Sequence, residues 1–173
     1  MLSFLLFFVL CTIPFGEGFS FHGATRPLGV FDPFKFQEQS DLDTLARFRE
    51  AELKHGRWGM LSAGSIPLIE SNTHVPAIHA FDQLSANTQL LLVAAVLAGE
   101  FGTMLKGWKN PFEDGTSNYF KLRSDYQPGD LGYAISNPDD VDMHNKELNN
   151  GRLAMIASLG MIAQELVTNR PLF

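Results

Sequence analysis

Hydrophobic residues are concentrated in three long stretches of the chain, which polar or irregular segments separate. The first stretch follows Asp41, a candidate N-cap, and runs to about Ser71, with Pro67 expected to bend or end it. The second covers about 83–108 and contains LLLVAAVLAGEFGTML, and the third covers about 142–169 and contains RLAMIASLGMIAQELV. Their length and apolar periodicity predict three α-helices, and therefore an all-α fold.

The distribution of charge indicates that these helices cross a membrane. Charged residues such as Glu100 and Arg152 interrupt the apolar runs, so hydropathy alone does not establish three spans. The connection 71–88 contains no Lys or Arg, whereas the connection 106–146 and the segment before the first helix contain several. This alternation predicts a membrane protein with three transmembrane helices and its N-terminus on the positive side.

One motif occurs twice, at the head of the first helix and at the head of the third. AELKHGRWGMLSAG runs from Ala51 to Gly64, and KELNNGRLAMIASLG runs from Lys146 to Gly160. Two further related segments, LGVFDPFKF and PGDLGYAISNPDD, precede the two helices. A repeat on either side of an unrelated middle helix predicts that the first and third helices cross about a pseudo-two-fold axis, with the middle helix peripheral.

Each copy of the motif carries a carboxylate and a guanidinium that cannot pair with each other. Glu52 and Arg57 lie about 140° apart around an ideal helix, and the second copy has the same spacing. An unpaired charge within a span costs on the order of 3 kcal/mol or more. We therefore predict reciprocal pairs, Glu52 with Arg152 and Glu147 with Arg57.

Further donor atoms on the same helices point to a metal-containing ligand. His55 lies one turn after Glu52, Asn150 occupies the matching position, and Gln164 returns to about the same face as Asn150 roughly 21 Å further along. The Mg of a chlorophyll, which lacks one axial ligand, would use such atoms. The alternative is that these residues only lock two helices together; we favour ligation because the donors recur in both copies.

Small residues recur at the heads of both helices, where they allow close crossing and leave grooves for a flat or rod-like ligand. They are Gly56, Gly59, Gly64, Gly151, Ala154 and Gly160.

Composition narrows the classes of function. A chain of 173 residues with 45% hydrophobic residues suits one domain, and a net charge of -6 argues against nucleic acid as a partner. Cys11 is the only cysteine, which excludes an intrachain disulfide and a cysteine metal site. The apolar run 2–15 predicts a targeting segment at 1–18, with 19–173 as the functional domain, although an apolar tail that is retained is the alternative. Because no nucleophile–base pair or phosphate loop is recognisable in the sequence, we do not expect an enzyme.

From about 28 to 168 the chain resembles the light-harvesting chlorophyll-binding proteins of plastids, through its E-x-x-H-x-R and E-x-x-N-x-R motifs, Gln164 and the loop before each helix. Its third helix is most similar to chlorophyll a/c antenna proteins of red-lineage algae, the fucoxanthin or peridinin type. The resemblance implies three thylakoid-spanning helices with a stromal N-terminus. It also implies bound chlorophyll a, chlorophyll c and a carotenoid such as fucoxanthin or peridinin. In that family pattern the chlorophyll Mg is ligated by Glu52, His55, Glu147, Asn150 and Gln164, and the ion pairs are completed by Arg57 and Arg152.

The resemblance extends to features that match the family less closely. Gln89 and Glu100 share a face of the middle helix and are further candidate ligands, although no Arg follows Glu100. Carotenoids are expected near the Phe31-Asp32-Pro33 and Gly132-Tyr133 loops. The sequence ends soon after the third helix with no His beyond His144, so the additional C-terminal pigment site of green-plant members is expected to be absent.

The resemblance implies an antenna that captures light and passes excitation to a photosystem. Its expected partners are a photosystem I or II core, other antenna subunits, thylakoid lipids and, in an oligomer, further copies. A photoprotective member that dissipates energy is the nearest alternative. A membrane di-iron oxidase is suggested by Glu52-x-x-His55, although the second copy has Asn150. An ion transporter that uses the intramembrane Glu residues is disfavoured by their expected Arg partners.

Overall fold

The computed structural model describes residues 29, 32, 33, 35, 40–110, 120–131 and 141–172. The helices are α1 (Leu42–Thr73), α2 (Ala77–Ala80), α3 (Ala86–Gly107) and α4 (Val141–Thr168). The part of the chain that is described contains no β-strand, and Trp108 and Leu122 form an isolated bridge. The three long helices are confirmed, and the short α2 is an addition that the sequence pattern did not predict. The targeting segment predicted at 1–18, Phe31 and the Gly132-Tyr133 loop lie outside the described residues.

Pro67 lies inside α1 and does not end it. The alternative that the helix stops at this proline is wrong, because a proline removes one backbone hydrogen bond while the packed helix on either side remains. The helix ends instead at His74, which adopts the left-handed conformation with φ 55°. The backbone N–H of His74 donates to Glu70 O at 2.8 Å, which caps the last turn.

The boundaries of α3 are set by local hydrogen bonds. Its first turn is capped by Ser85, whose hydroxyl accepts the N–H of Thr88 at 3.4 Å. At the other end Trp108 is extended and bridges to Leu122, so the chain leaves the helix there. These two contacts place α3 within the 83–108 stretch and slightly shorter than predicted.

The two repeat-bearing helices α1 and α4 touch backbone to backbone. A Cβ built on Gly56 would lie 3.1 Å from Gly151 Cα, and one built on Gly59 would lie 2.9 Å from the backbone N of Met155. Only glycine allows so close an approach. Gly64 and Gly160, in contrast, would have nothing within 4 Å of an added Cβ, so they face open space. The contact therefore depends on the first glycines of each motif and not on the later ones.

The same two helices are joined again at their C-terminal ends by two buried glutamates. Glu70 is 1% exposed and Glu165 is 0% exposed. Glu70 accepts the N–H of Leu172 at 2.8 Å and that of Ala77 at 3.2 Å, and Glu165 accepts the N–H of Ile78 at 3.0 Å. Each carboxylate thus holds the segment that follows the other helix, so the C-terminal ends of α1 and α4 lie together.

These glutamates extend the repeat beyond its recognised motif. Glu70 and Glu165 have the same separation as Glu52 and Glu147, and each precedes a Thr-(His or Asn)-x-Pro sequence. His74 and Asn169 both have positive φ, 55° and 50°, and the N–H of Asn169 donates to Glu165 O at 2.8 Å, as His74 does to Glu70. The two helices therefore match both in the repeated motif and in the buried glutamate and left-handed residue at their C-terminal ends.

Most large apolar side chains lie on the outside of the helices. The buried hydrophobic residues among those described are Leu53, Ile66 and Leu148, whereas α3 exposes residues such as Leu90 and Phe101. Within the described residues α3 is also the one helix that is long and apolar enough to cross a membrane by length and composition. This surface is that of a protein whose surroundings, or bound ligands, are apolar.

Candidate functional site

The head of each repeat-bearing helix contributes one carboxylate and one guanidinium to two ion pairs. Arg57 Nε lies 2.7 Å from Glu147 Oε1, and Arg152 Nε lies 2.7 Å from Glu52 Oε1. Both pairs join α1 to α4, and they lie in sequence on either side of the glycine contact. The predicted exchange of partners between the two copies is confirmed.

A loop that precedes α4 supports the first of these pairs. Arg57 Nη2 donates to Gly129 O at 2.7 Å, and the N–H of Gly129 donates to Glu50 Oε2 at 2.7 Å. Gly129 has φ +88°, and a Cβ there would lie 2.6 Å from Leu53 Cδ1, so the turn requires glycine. The guanidinium of Arg57 is consequently held by the loop as well as by Glu147.

Glu50 is the carboxylate that fastens this loop to α1. It is 3% exposed, and its Oε2 also accepts the hydroxyl of Tyr126 at 3.1 Å. Burial, together with the adjacent Glu50 carboxylate, raises the pKa of Tyr126, which keeps the phenol protonated as a donor. The sequence motif did not single out Glu50 or Tyr126, because their contact joins residues that are distant along the chain.

The two repeated carboxylates differ in how many cations they contact. Glu52 Oε2 also lies 2.8 Å from Arg49 Nη1, so both of its oxygens accept from a guanidinium. Within the described part of the chain, Glu147 Oε2 has no hydrogen-bond donor. The side chains of Glu52 and Glu147 remain 29% and 27% exposed. Each can therefore present a lone pair outward, and Glu147 has more of its acceptor capacity unused.

His55 and Asn150 lie on the outer faces of α1 and α4, and both are exposed. His55 Nδ1 lies 2.7 Å from Ala51 O. Because a carbonyl oxygen only accepts, Nδ1 carries the proton and Nε2 keeps its lone pair for a ligand. Gln164 is exposed further along α4. The structure places these three donors where an external group can reach them.

The two candidates on α3 have partners that the sequence did not predict. Gln89 Nε2 donates to Phe81 O at 2.9 Å, which leaves its carbonyl oxygen as the remaining acceptor. Glu100 Oε2 lies 2.8 Å from Lys54 Nζ, and Glu100 Oε1 accepts from Trp58 Nε1 at 3.1 Å. The missing Arg after Glu100 is thus replaced by a lysine from α1.

Nothing in the described residues supports a di-iron centre. No three or more His, Cys, Asp or Glu side chains come together there in an arrangement that could hold a metal ion. The isolated outward donors suit a metal that brings most of its own ligands, as a tetrapyrrole does.

Comparison with known proteins finds related sequences that bind chlorophyll according to their names. A family model described as chlorophyll A-B binding protein matches residues 20–166. Light-harvesting complex stress-related protein 3.2 of Chlamydomonas reinhardtii is 36% identical over 170 residues, which cover 87% of this chain and 64% of that protein. A fucoxanthin-chlorophyll a-c binding protein of Isochrysis galbana is 38% identical over 160 residues, covering 84% of this chain and 76% of that protein.

A plant relative is more distant. Chlorophyll a-b binding protein P4 of Pisum sativum is 32% identical over 155 residues, covering 81% of this chain and 60% of that protein. The chain thus spans less than two thirds of the length of several of its relatives. The reciprocal ion pairs, the outward donors and the match to the family model together show that the chain belongs to the light-harvesting chlorophyll-binding protein family.

Proposed function

We propose that the chain is a light-harvesting antenna protein of the thylakoid membrane, which binds chlorophylls and carotenoid and passes excitation toward a photosystem. The observation that carries the proposal is the pair of crossed ion pairs, Arg57 with Glu147 and Arg152 with Glu52, at 2.7 Å each. Each carboxylate is neutralised by the other helix and is still partly exposed. Such a carboxylate can accept a metal without bringing a net charge into an apolar setting.

The donor set fits the Mg of a chlorophyll. Glu52, Glu147, Asn150 and Gln164 would each offer one oxygen to a chlorophyll Mg, and His55 would offer the lone pair of Nε2. Gln89 and Glu100 are proposed as ligands on α3. The bound pigment supplies light absorption and excitation transfer, while the protein supplies fixed positions and an apolar surrounding.

We further propose that α1, α3 and α4 all cross the membrane, with α1 and α4 related by a pseudo-two-fold axis and with the N-terminus in the stroma. The matching ion pairs, glycines and buried glutamates of α1 and α4 support the axis. The lack of Lys and Arg in 71–88 supports the orientation. In a membrane the exposed apolar side chains would contact lipid and pigment.

The relatives support chlorophyll a, an accessory chlorophyll and a xanthophyll as cofactors. Chlorophyll c and fucoxanthin are the expected types, since a fucoxanthin-chlorophyll a-c binding protein is among the relatives. The open faces of Gly64 and Gly160 leave room beside the crossed helices for a rod-like carotenoid. A photosystem core, other antenna subunits and thylakoid lipids are the proposed partners.

Energy dissipation is a second candidate function, because stress-related relatives match as well as an antenna relative does. The two functions share their pigment ligands, and fluorescence lifetime separates them. An antenna keeps the same lifetime at neutral and acidic pH, whereas a dissipating protein shortens it on acidification.

We expect His55→Leu to remove one chlorophyll from the reconstituted complex and to leave the crossed helices intact. Among the described residues, the exposed ring bonds only to Ala51 O in its own helix, so its loss breaks no contact between the described helices. Pigment extraction and chromatography measure the chlorophyll content, and circular dichroism measures helix content. Asn150→Leu should likewise remove one chlorophyll and leave the helices intact.

His74→Asn is the control for this substitution, because it removes an exposed imidazole beyond the end of α1 and keeps a residue that tolerates φ 55°, as Asn169 does at the equivalent position. It should keep the full chlorophyll content. If His55→Leu lost all pigment and its helical signal, His55 would instead be required for folding.

A further inference from the structure

The middle helix α3 contacts α1 through side chains and not through close backbone packing between the two helices. Among the described helices, α1 packs mainly on α4, and α2 touches both, whereas the backbone of α3 makes at most a marginal approach to any of them. Three hydrogen bonds cross the gap between α1 and α3. Lys54 Nζ donates to Glu100 Oε2 at 2.8 Å and to Thr103 Oγ1 at 2.9 Å, and Trp58 Nε1 donates to Glu100 Oε1 at 3.1 Å.

The residues on each side of the gap have helical neighbour spacing. Lys54 and Trp58 are four apart on α1, and Glu100 and Thr103 are three apart on α3, so each pair lies on one face. The hydroxyl of Thr103 also donates to Glu100 O at 2.9 Å, which turns its lone pairs toward Lys54. Two donors on one helix thus meet acceptors on the other, which fixes both the register and the rotation of α3.

The equivalent positions of α4 carry different residues. At the separation that relates Glu52 to Glu147, Asn149 stands in place of Lys54 and Leu153 in place of Trp58. Leu153 is 68% exposed and cannot donate a hydrogen bond. The repeat is therefore broken at the two positions that contact α3.

We propose that Lys54 and Trp58 are positioning residues that tether α3, select α1 over α4 as its neighbour, and set the width of the gap between them. The long side chain of Lys54 spans the gap, and its charge neutralises Glu100 inside an apolar helix. This role is compatible with Glu100 as a metal ligand, because each carboxylate oxygen that accepts one hydrogen bond has a second lone pair.

The consequence for energy transfer rests on the proposed function. Pigments bound to α3 and to α1 exchange excitation at a rate that depends on their distance and orientation. A tether that fixes the register and rotation of α3 fixes both. Lys54 and Trp58 then control the coupling between the middle helix and the crossed pair without touching a pigment ligand on α1.

The test uses pulsed electron paramagnetic resonance to measure distances between spin labels in the full chain, purified in detergent. After Cys11→Ser, labels are placed through cysteines at Ser65 on α1 and Leu90 on α3, or at Ser65 and Leu159 on α4, all of them exposed. The test variant is K54N/W58L, which installs the residues that α4 carries at the equivalent positions. Lys54→Arg keeps the charge, and Lys146→Met is the control, because Lys146 pairs with Asp142 on an exposed face.

K54N/W58L is expected to broaden the α1–α3 distance distribution and shift it to longer values, with the α1–α4 distribution unchanged. Lys54→Arg and Lys146→Met should leave both distributions as in the parent chain. An unchanged α1–α3 distribution in K54N/W58L would overturn the tether, and so would broadening of both distributions, since the residues would then stabilise the whole fold.

The same chains, reconstituted with a thylakoid pigment extract, separate this proposal from the proposed function. If the chain binds no pigment but K54N/W58L still shifts the α1–α3 distance to longer values, the tether is supported and the antenna function is rejected. In a pigmented chain, K54N/W58L should weaken the visible circular dichroism while retaining the chlorophylls on α1 and α4. An unchanged visible spectrum would contradict the control of coupling.

Discussion

Gly56→Leu is expected to abolish formation of a stable pigmented complex. A Cβ at Gly56 would lie 3.1 Å from Gly151 Cα, and the rest of a leucine side chain has no path between the two backbones. The helices must separate to admit it, which pulls apart both ion pairs beside the contact. Overpacking of a tight contact costs about 1–3 kcal/mol in ordinary cores, and here the loss of the paired charges adds to it. The yield of monomeric pigmented protein after reconstitution measures the effect.

Gly64→Leu is the matched control for this substitution. Gly64 lies on the same helix, but nothing lies within 4 Å of the position that its Cβ would occupy. The yield of chlorophyll complex should therefore stay close to that of the parent chain, with any loss confined to carotenoid. If Gly56→Leu assembled as well as Gly64→Leu, the close contact between α1 and α4 would not be a requirement of the fold.

Arg57→Leu is expected to cause the second large loss, because it leaves Glu147 without its cation between two helices. Both side chains are about one-quarter exposed, at 25% and 27%, so solvent compensates only in part. The cost of an unpaired charge in an apolar span is on the order of 3 kcal/mol. Thermal loss of the pigment signal in detergent measures this cost as a lowered midpoint.

The double variant R57L/E147L tests whether the orphaned charge causes the loss. Removing both partners leaves no unpaired charge at this position, so the double variant should be more stable than Arg57→Leu alone when the midpoint is read from the helical circular dichroism, which does not depend on the proposed pigment ligand Glu147. Lys146→Met removes an exposed pair with Asp142 and should change stability by no more than about 0.5 kcal/mol. A double variant that is less stable than the single one would show that packing, and not charge, explains the effect of Arg57→Leu.

The reciprocal ion pairs could be predicted from the sequence because helix geometry leaves few choices. Glu52 and Arg57 lie on different sides of α1, and the second copy provides the complementary groups with the same spacing. The exposed positions of His55 and Asn150 follow from the same periodicity. Repeats carry this information because a contact that joins one motif position to another across the two copies recurs with the copies exchanged.

The sequence did not predict Glu70 and Glu165, although the separation between the two motifs pointed to them. Both are glutamates at equivalent positions, followed by Thr and then by Pro. They lie outside the recognised motif and near the helix ends, where polar residues are common, so the pattern suggested ordinary helix ends. A systematic comparison of residues at that separation would have found them.

Lys54 and Glu50 could not have been found in this way. Lys54 contacts Glu100 on the middle helix, which has no repeat partner, and Glu50 contacts Tyr126 and Gly129 in a loop. These contacts depend on the docking of separate segments, which local periodicity does not encode. They also mark where the two halves of the protein differ, since the copies supply different residues at both positions.

The difference between the copies also affects the two carboxylate sites. Arg49 contacts Glu52, and His144 occupies the equivalent position before Glu147. A metal bound at Glu52 would lie near an additional positive charge, so its ligand donates less electron density than Glu147 does. Pigments at the two sites are therefore expected to be inequivalent even though their ligands have the same chemistry.

The central claim is that crossed ion pairs hold Glu52 and Glu147 as ligands for chlorophyll. Reconstitution of the full chain with a thylakoid pigment extract, followed by pigment chromatography and visible circular dichroism, tests it most directly. The account predicts a helical protein that retains chlorophyll and carotenoid in fixed ratio and shows signals from coupled pigments. A helical protein that stays colourless under these conditions, or that carries iron in place of pigment, would contradict it.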